Sequence, residues 1–334
     1  MKAAYVNHLG EVDEIRYGDL PDPVPGPTDY LVEVAAASLN PVDTLVRSGR
    51  FPTLAPLPFI LGRDLVGTVV SAPVGGTLLL GETVWCSSLG YDGRQGTYSD
   101  YAVVPADRLY PAPPSVHAGP DRTSGDVHRL VALAHPATTA WLGWFEHGRL
   151  APGQNVFVGG GAGNVGTAAI QLAAALGTTI IASSHPRDFD AVRAAGAEVV
   201  LDYRDPDLAE ACAKAVPEGF DLVWDTSGHH DGQFLAAATA PGGRILVTAA
   251  AEASTLLPLG RLYTKDVSLI GFVMSRASAD QLARAAKGLM PVLEPGTPGA
   301  LTTAITQVLD LSEAARAHRM MEAGEVRGRI VIAV

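Results

Sequence analysis

The chain holds only two cysteines in 334 residues, Cys86 and Cys212. They stand far apart, which excludes a disulfide framework and a cluster of thiolate zinc ligands and fits a reducing compartment. No stretch approaches the roughly 20 uninterrupted apolar residues that a spanning helix needs, and the N-terminal MKAAYVNHLGEVDE has no apolar signal core. A cytoplasmic protein without a membrane partner is expected. Basic residues are scattered singly, 24 Lys and Arg against 35 Asp and Glu, for a formal net charge of -11. A surface of that sign repels phosphate backbones and anionic headgroups, so nucleic-acid binding is not expected. Apolar residues, in contrast, are plentiful: 47% hydrophobic and 18% charged is the composition of a packed globular protein. At this length two domains are expected.

Residues 1–115 read as short strands, such as Tyr30 to Ala36, Val66 to Ser71 and Thr83 to Cys86, cut by turns dense in Pro and Gly, an all-β pattern. Ala112 to Asp126 is polar and rich in Pro and Gly; it is a candidate linker or an ordinary surface loop. Beyond it, apolar strands alternate with Ala-rich helices, the pattern of βαβ units around a parallel sheet. The strands are Asn155 to Val158, Thr179 to Ser183, Glu198 to Leu201, Asp221 to Asp225, Arg244 to Thr248 and Ser268 to Phe272. Helices near Ala279 to Leu289 and Ser312 to Ala323 and a last strand, Arg329 to Val334, form a tail expected to return to the first domain.

The strongest chemical signal is VFVGGGAGNVGTAAIQLAAALG. Gly161, Gly163 and Gly166 make G-x-G-x-x-G between an apolar strand and an amphipathic helix that opens at Asn164 and Val165. The first glycine suits a tight turn, the second lets backbone approach a pyrophosphate, and the third lets helix pack on strand, with the helix N-terminus facing the anion. The next strand ends at Ser183, where an NAD-preferring protein would carry an acid for the ribose 2′-hydroxyl. Ser183, Ser184, His185 and Arg187 stand there instead, hydroxyls and a cation suited to a 2′-phosphate, so NADPH is the expected cofactor. The same residues also read as a helix cap, with Ser184 or His185 capping, Pro186 in the first turn and Arg187 in solvent. Tyr203 is placed to lie against adenosine. Asp225 and Thr226 end the fourth strand at the carboxyl edge, where such sheets hold ligands, or else cap a loop there.

Several separate motifs resemble one family in the same order: SLNPVDTLVRSG (Ser38 to Gly49), LGRDLVGTV (Leu61 to Val69), QGTYSDYAVVPADRLY (Gln95 to Tyr110), TAW (Thr139 to Trp141), the glycine loop, and SLIGF (Ser268 to Phe272). Across nearly the whole chain they resemble the medium-chain dehydrogenase/reductases, and among them the quinone oxidoreductases to which zeta-crystallin belongs. The resemblance implies an α/β protein with a GroES-like β domain (1–117 and 273–334), a Rossmann doubly wound parallel sheet domain (118–272), and a cleft where nicotinamide meets substrate. Zinc alcohol dehydrogenases of the superfamily carry Cys where this chain has Asn40, and His-Glu where it has Arg63 and Asp64. With the cysteine-rich lobe also missing and the nine histidines in no zinc motif, no metal is expected.

Without a Lewis acid to hold an alkoxide, acceptors that delocalise charge are favoured, namely quinones and α,β-unsaturated carbonyls. The resemblance places Asn40, Thr139 and the backbone at Gly271 and Phe272 near the nicotinamide; Asn40 also reads as a brace for the turn before Pro41. Relatives carry tyrosines where this chain has Leu45 and Phe51, so the proton donor is not evident. Asp43, Tyr91, Tyr98 and Tyr263 are candidates, with Asp43 equally suited to anchoring its loop. Leu45, Phe51, Trp141 and Phe272 are read as an apolar pocket lining or as core. A reductase of enoyl thioesters or biosynthetic ketones is the alternative enzyme, and a non-catalytic NADPH-binding protein the alternative of another class. The resemblance also implies a homodimer meeting at Ser268 to Phe272.

Overall fold

Val- and Thr-rich stretches separated by Pro and Gly favour short strands, and they pair as sheets in the first part of the chain. The computed structural model describes residues 1–119, 125–249 and 254–334; residues 120–124 of the expected linker lie outside the described residues. The chain divides into two compact units, Met1–Thr138 with Ser278–Val334, and Thr139–Ala277. The sequence put these divisions at 117/118 and 272/273.

The first unit is built on β1 (Lys2–Val6), β2 (Arg16–Asp19), β3 (Asp29–Leu39), β4 (Phe59–Ile60), β5 (Asp64–Ser71), β6 (Thr83–Cys86), β7 (Tyr101–Pro105) and β8 (Tyr110–Pro111). The long, buried β3 organises it: β5 pairs along one edge, while β7 takes residues 29–33 and the chain's last strand takes residues 36–39 of the other. The expected all-β reading needs one correction, a helix α1 (Pro41–Arg47) directly after β3. Asn-Pro starts it, because proline at the first helical position loses no hydrogen bond and its φ is already helical. Helix α2 (Gly125–Trp141) begins in this unit, where Arg129 donates to the carbonyls of Leu293 (2.8 Å) and Leu301 (2.7 Å). Those bonds tie the start of α2 to the tail of the same unit.

The second unit is a sheet of β9 (Asn155–Gly159), β10 (Thr179–Ser184), β11 (Val199–Asp202), β12 (Phe220–Asp225), β13 (Thr239–Val247) and β14 (Ser268–Gly271), with α3 (Asn164–Ala175), α4 (Phe189–Ala194), α5 (Leu208–Ala215), α6 (Gly232–Ala238) and α7 (Leu259–Thr264) between strands. Every pair is parallel and the order is β11-β10-β9-β12-β13-β14. This is the doubly wound Rossmann order, which reverses beside β9 and opens a crevice at the carboxyl ends of the strands.

The tail supplies α8 (Ala279–Leu293), β15 (Ile305–Asp310), α9 (Ala314–Glu322) and β16 (Arg329–Ala333). β16 is the strand that pairs antiparallel with the end of β3, Ile330 opposite Leu39, so the tail returns to the first unit as expected. Among the described residues no helix is long and apolar enough to cross a membrane.

Candidate active site

The glycine loop joins β9 to α3 at the reversal point. Gly160 takes the left-handed conformation (φ 69°), and Gly163 N–H donates to the Gly160 carbonyl (2.9 Å), so Gly161 lies inside the turn. Gly161 is required for another reason: a Cβ there would press on Ile170 (3.1 Å), Ala182 and Val192 (both 3.2 Å). At Gly166 a Cβ would lie 2.3 Å from the Gly160 carbonyl oxygen, so the third glycine does let the helix close on the loop. The loop backbone is tied down on all sides. Gly161 N–H donates to the Ser183 carbonyl (2.9 Å), Thr167 Oγ1 to the Gly161 carbonyl (3.1 Å), and Thr226 Oγ1 to the carbonyl of Gly159 (2.8 Å).

Gly163 is the N-cap of α3, and no side chain caps the helix. The first-turn amides at Asn164, Val165 and Gly166 therefore point out of the helix end with the positive end of its dipole, a cradle for a diphosphate. A dinucleotide fits these residues.

At the end of β10, Ser183 and Ser184 are buried and no acid stands in the strand. The capping reading holds too: His185 Nδ1 accepts from Arg187 N–H (3.2 Å) with Pro186 in the first turn. Arg187 is half-exposed and 3.5 Å from Asp188. Tyr203 is exposed, with the Arg204 guanidinium 5.6 Å above its ring. Thr226 braces the loop as described, and Asp225 accepts from Ser227 N–H (2.8 Å). Thr139 is buried, with its hydroxyl 3.5 Å from Met274 Sδ. Gly271 faces open space, while Phe272 stacks on His147 (4.4 Å) beside Trp224 (5.8 Å). A shallow groove lined by Cys212, Val216, Phe220, Phe234, Ala238 and Lys265 lies at the amino ends of the strands, away from the loop.

In the first unit Asn40 and Asp43 sit in a buried charged network. Asn40 N–H donates to Asp43 Oδ2 (2.8 Å), Asn40 Nδ2 to Asp64 Oδ2 (2.8 Å), and Arg329 Nη2 to Asn40 Oδ1 (2.9 Å). Ser38 Oγ donates to Asp64 Oδ2 (2.6 Å) and accepts from Arg329 (2.6 Å). Arg63 Nε is 3.7 Å from Asp43 Oδ1, and His135 Nδ1 3.9 Å from Asp64 Oδ1.

Burial dominates the protonation here. It pushes Asp43 up to about 6 and Asp64 up to about 7, although the facing arginines pull both back toward ionisation. It pushes His135 down to about 3, helped by the charges of Arg63 and Arg329, so the imidazole is neutral. Asn40 and Asp43 thus brace the β3–α1 junction, the alternative role that the sequence left open. Arg329 is the partner that no local motif announced, because it is 291 positions from Ser38.

The same network tests a zinc ion. Two guanidinium cations and an amide already occupy both carboxylates, and burial holds the Cys86 thiol up at about 11. Among the described residues no set of three His, Cys, Asp or Glu side chains is placed to hold a metal. These residues do not fit zinc, which needs several deprotonated ligands around one point.

Residues 26–114 match the alcohol dehydrogenase GroES-like domain family and residues 164–288 the zinc-binding dehydrogenase family. The quinone oxidoreductase of Mus musculus is 26% identical over 95% of this chain and 93% of its own length. A trans-enoyl reductase of Aspergillus flavipes is 33% identical over 60% of this chain. The chain spans 60% of that reductase and 58% of a mitochondrial NAD(P)H oxidoreductase of Drosophila melanogaster that it also matches. Among solved structures, a mycobacterial protein complexed with NADPH superposes with a TM-score of 0.83 at 26% identity, covering 100% of both chains. Motif order, strand order and these matches agree: the chain belongs to the medium-chain dehydrogenase/reductase superfamily, with quinone oxidoreductases among its relatives.

Proposed function

We propose that the chain is an NADPH-dependent, zinc-independent reductase that passes hydride to a quinone or an α,β-unsaturated carbonyl compound. The observation that carries this reading is the uncapped start of α3 beside a braced glycine loop, at the point where the strand order reverses. NADPH is preferred over NADH because β10 ends in two serines and no acid, with the half-exposed Arg187 cation three residues beyond the strand. Bound there, the nicotinamide supplies the hydride. Ser183, Ser184, Arg187 and Tyr203 hold the adenosine end, Thr226 shapes the diphosphate loop, and Thr139, Gly271 and Phe272 lie toward the nicotinamide. Asn40 and Asp43 act as positioning residues.

Turnover of quinones and enals with NADPH tests the proposal, alongside NADH and an elemental analysis for zinc. Reduction dependent on NADPH, in metal-free protein, is expected; bound zinc required for turnover, or no reduction of either class, overturns it. The resemblance to a trans-enoyl reductase favours enoyl thioesters as the second reading, and activity confined to thioesters would select it.

The protein is also proposed to be a homodimer. β14 is the outermost strand of its sheet, and Leu269 is exposed on it, with Leu259 and Tyr263 exposed on α7. Leu269→Asp is expected to lower the mass seen by light scattering at equal concentration; an unchanged mass counts against the interface.

A further inference from the structure

Resting on the NADPH-dependent reductase reading, we propose that Arg204 is a specificity-determining residue: by gripping the Asp202 carboxylate it withholds an acid that would otherwise accept from the ribose 2′-hydroxyl of NADH. β10 ends without an acid, but one stands at the end of the neighbouring strand. β11 runs parallel to β10 with Asp202 directly opposite Ser184, which sets their Cα atoms about 4.8 Å apart with both side chains on one face of the sheet. Tyr203 N–H donates to the Ser184 carbonyl (3.4 Å) and so ties the two strand ends together. The end of β10 is in turn fixed to the glycine loop by the bond from Gly161 N–H to the Ser183 carbonyl (2.9 Å). All of these residues belong to one compact unit, and the end of this second strand is where a dinucleotide-binding sheet meets the ribose 2′ position.

The Asp202 carboxylate is fully engaged. Arg204 Nη2 donates to Oδ2 (2.9 Å) and Nε to Oδ1 (3.1 Å), a fork that covers both oxygens. The Arg204 backbone N–H also donates to Oδ1 (3.0 Å), a turn that an aspartate closes two residues on without help from the arginine side chain. The guanidinium lies 5.6 Å from the centre of the Tyr203 ring, a second hold on its position. Hydrogen bonds from the Arg204 side chain and backbone keep Asp202 below the ordinary carboxylate range, so the pair is ionic.

Two ion pairs therefore flank the end of β10, Arg187 with Asp188 (3.5 Å) and Arg204 with Asp202 (2.9 Å). Removing the Arg204 side chain leaves the second carboxylate uncompensated, with Oδ1 still anchored by the turn and Oδ2 released. A free negative charge there repels a 2′-phosphate, and a free carboxylate oxygen accepts from a 2′-hydroxyl. The two cofactors respond in opposite directions, which no general loosening of the fold produces.

Calorimetric titration of full-length variants with NADPH and NADH tests the assignment. In Arg204→Ala, NADPH should bind about tenfold more weakly and NADH about fivefold more tightly, the low end for a hydrogen-bonded charge because Arg204 is half-exposed. The melting temperature should stay with the parent's, as expected for an exposed pair. Arg204→Lys keeps the charge and loses the fork, and should fall between parent and Arg204→Ala. The NADH gain should vanish in the Asp202→Asn, Arg204→Ala double variant, where no carboxylate is left to release. Arg193→Ala removes a cation from another exposed pair, with Asp190 (3.2 Å), and should change neither affinity. An Arg204→Ala protein that binds NADH no more tightly than a parent that prefers NADPH, or a double variant that keeps the gain, overturns the assignment and leaves the reductase reading in place. A parent that prefers NADH overturns the assignment together with the choice of NADPH, and a parent that binds neither cofactor overturns the reductase reading as well.

Discussion

Alanine at Gly166 separates the packing role of the glycine loop from its binding role. The new Cβ would sit 2.3 Å from the Gly160 carbonyl oxygen and 3.0 Å from the Gly161 Cα, about 1 Å inside the roughly 3.3 Å at which carbon rests against a carbonyl oxygen. Both neighbours are backbone, and Thr226 Oγ1 holds the Gly160 carbonyl at 3.3 Å, so no side chain can swing away. Overpacking of this kind costs about 3 kcal/mol at the upper end of its range. Alanine returns about 1 kcal/mol through helix propensity, and the overlap wins by about 2 kcal/mol. The melting temperature should fall by about 5–8 °C for a unit of this size. NADPH affinity by calorimetry should fall more than tenfold, because the first-turn amides move with the helix. Gly163→Ala is the contrast: its Cβ meets only the Gly160 oxygen at 3.2 Å. The stability loss there should stay below about 1 kcal/mol, the usual scale of an N-cap change, while NADPH binding still weakens. A Gly166→Ala protein that melts with the parent and binds NADPH normally, or a Gly163→Ala protein equally unfolded, would refute this division of roles.

Three more outcomes are expected. Arg187→Ala should weaken NADPH by about 10- to 100-fold, the scale of a charge-assisted hydrogen bond, and leave NADH unchanged; equal loss for both cofactors in fluorescence titrations would return Arg187 to solvent. Arg329→Met removes the cation facing Asp64 and should cost about 3–5 kcal/mol in urea unfolding, against less than 1 kcal/mol if the network were idle.

The third outcome concerns pH. Burial pushes His318 down to about 3, with the Arg47 charge adding to it, from the usual 6.5. The unfolded chain therefore binds the extra proton first, and stability from His318, complete above pH 6.5, is lost as pH falls toward 3. His135 behaves alike, whereas Asp43 and Asp64, raised to about 6 and 7, take protons earlier in the folded state and oppose that loss between about pH 4 and 6. Parent stability should be nearly flat in that window. His318→Leu should gain about 2.5 kcal/mol on the parent between pH 7 and 4.5, at about 1.4 kcal/mol per pH unit below 6.5; parallel profiles for the two proteins would show that His318 is not buried neutral.

Some of the site was legible because its signal is local. Gly163 and Gly166, the helix they open and Ser183 at the end of the next strand lie within one βαβ stretch, where strand and helix periodicity alone places the loop at the start of the helix. That these strands form a parallel sheet followed from the same alternation, while their order came only from the structure. The return of the tail was legible less directly, from an apolar strand with no remaining partner in its own neighbourhood.

Other features had no local signal. That Gly160 takes the positive φ of the turn depends on how β10 and Thr226 hold the loop. The helix inside the β-rich part arises from a capping pair, Asn40 and Asp43, too short to show a period. The sequence by itself determined that a glycine loop would join an apolar strand to an Ala-rich helix and that the two cysteines stand far apart, since both are matters of residue type and spacing. Only the tertiary structure decided which charges face one another. Arg329 reaches Ser38, Asn40 and Asp64 because β16 pairs with β3, and Tyr91 packs on Phe51 from a separate loop. Buried charges must find partners wherever the fold brings them, and sequence distance has no bearing on that requirement.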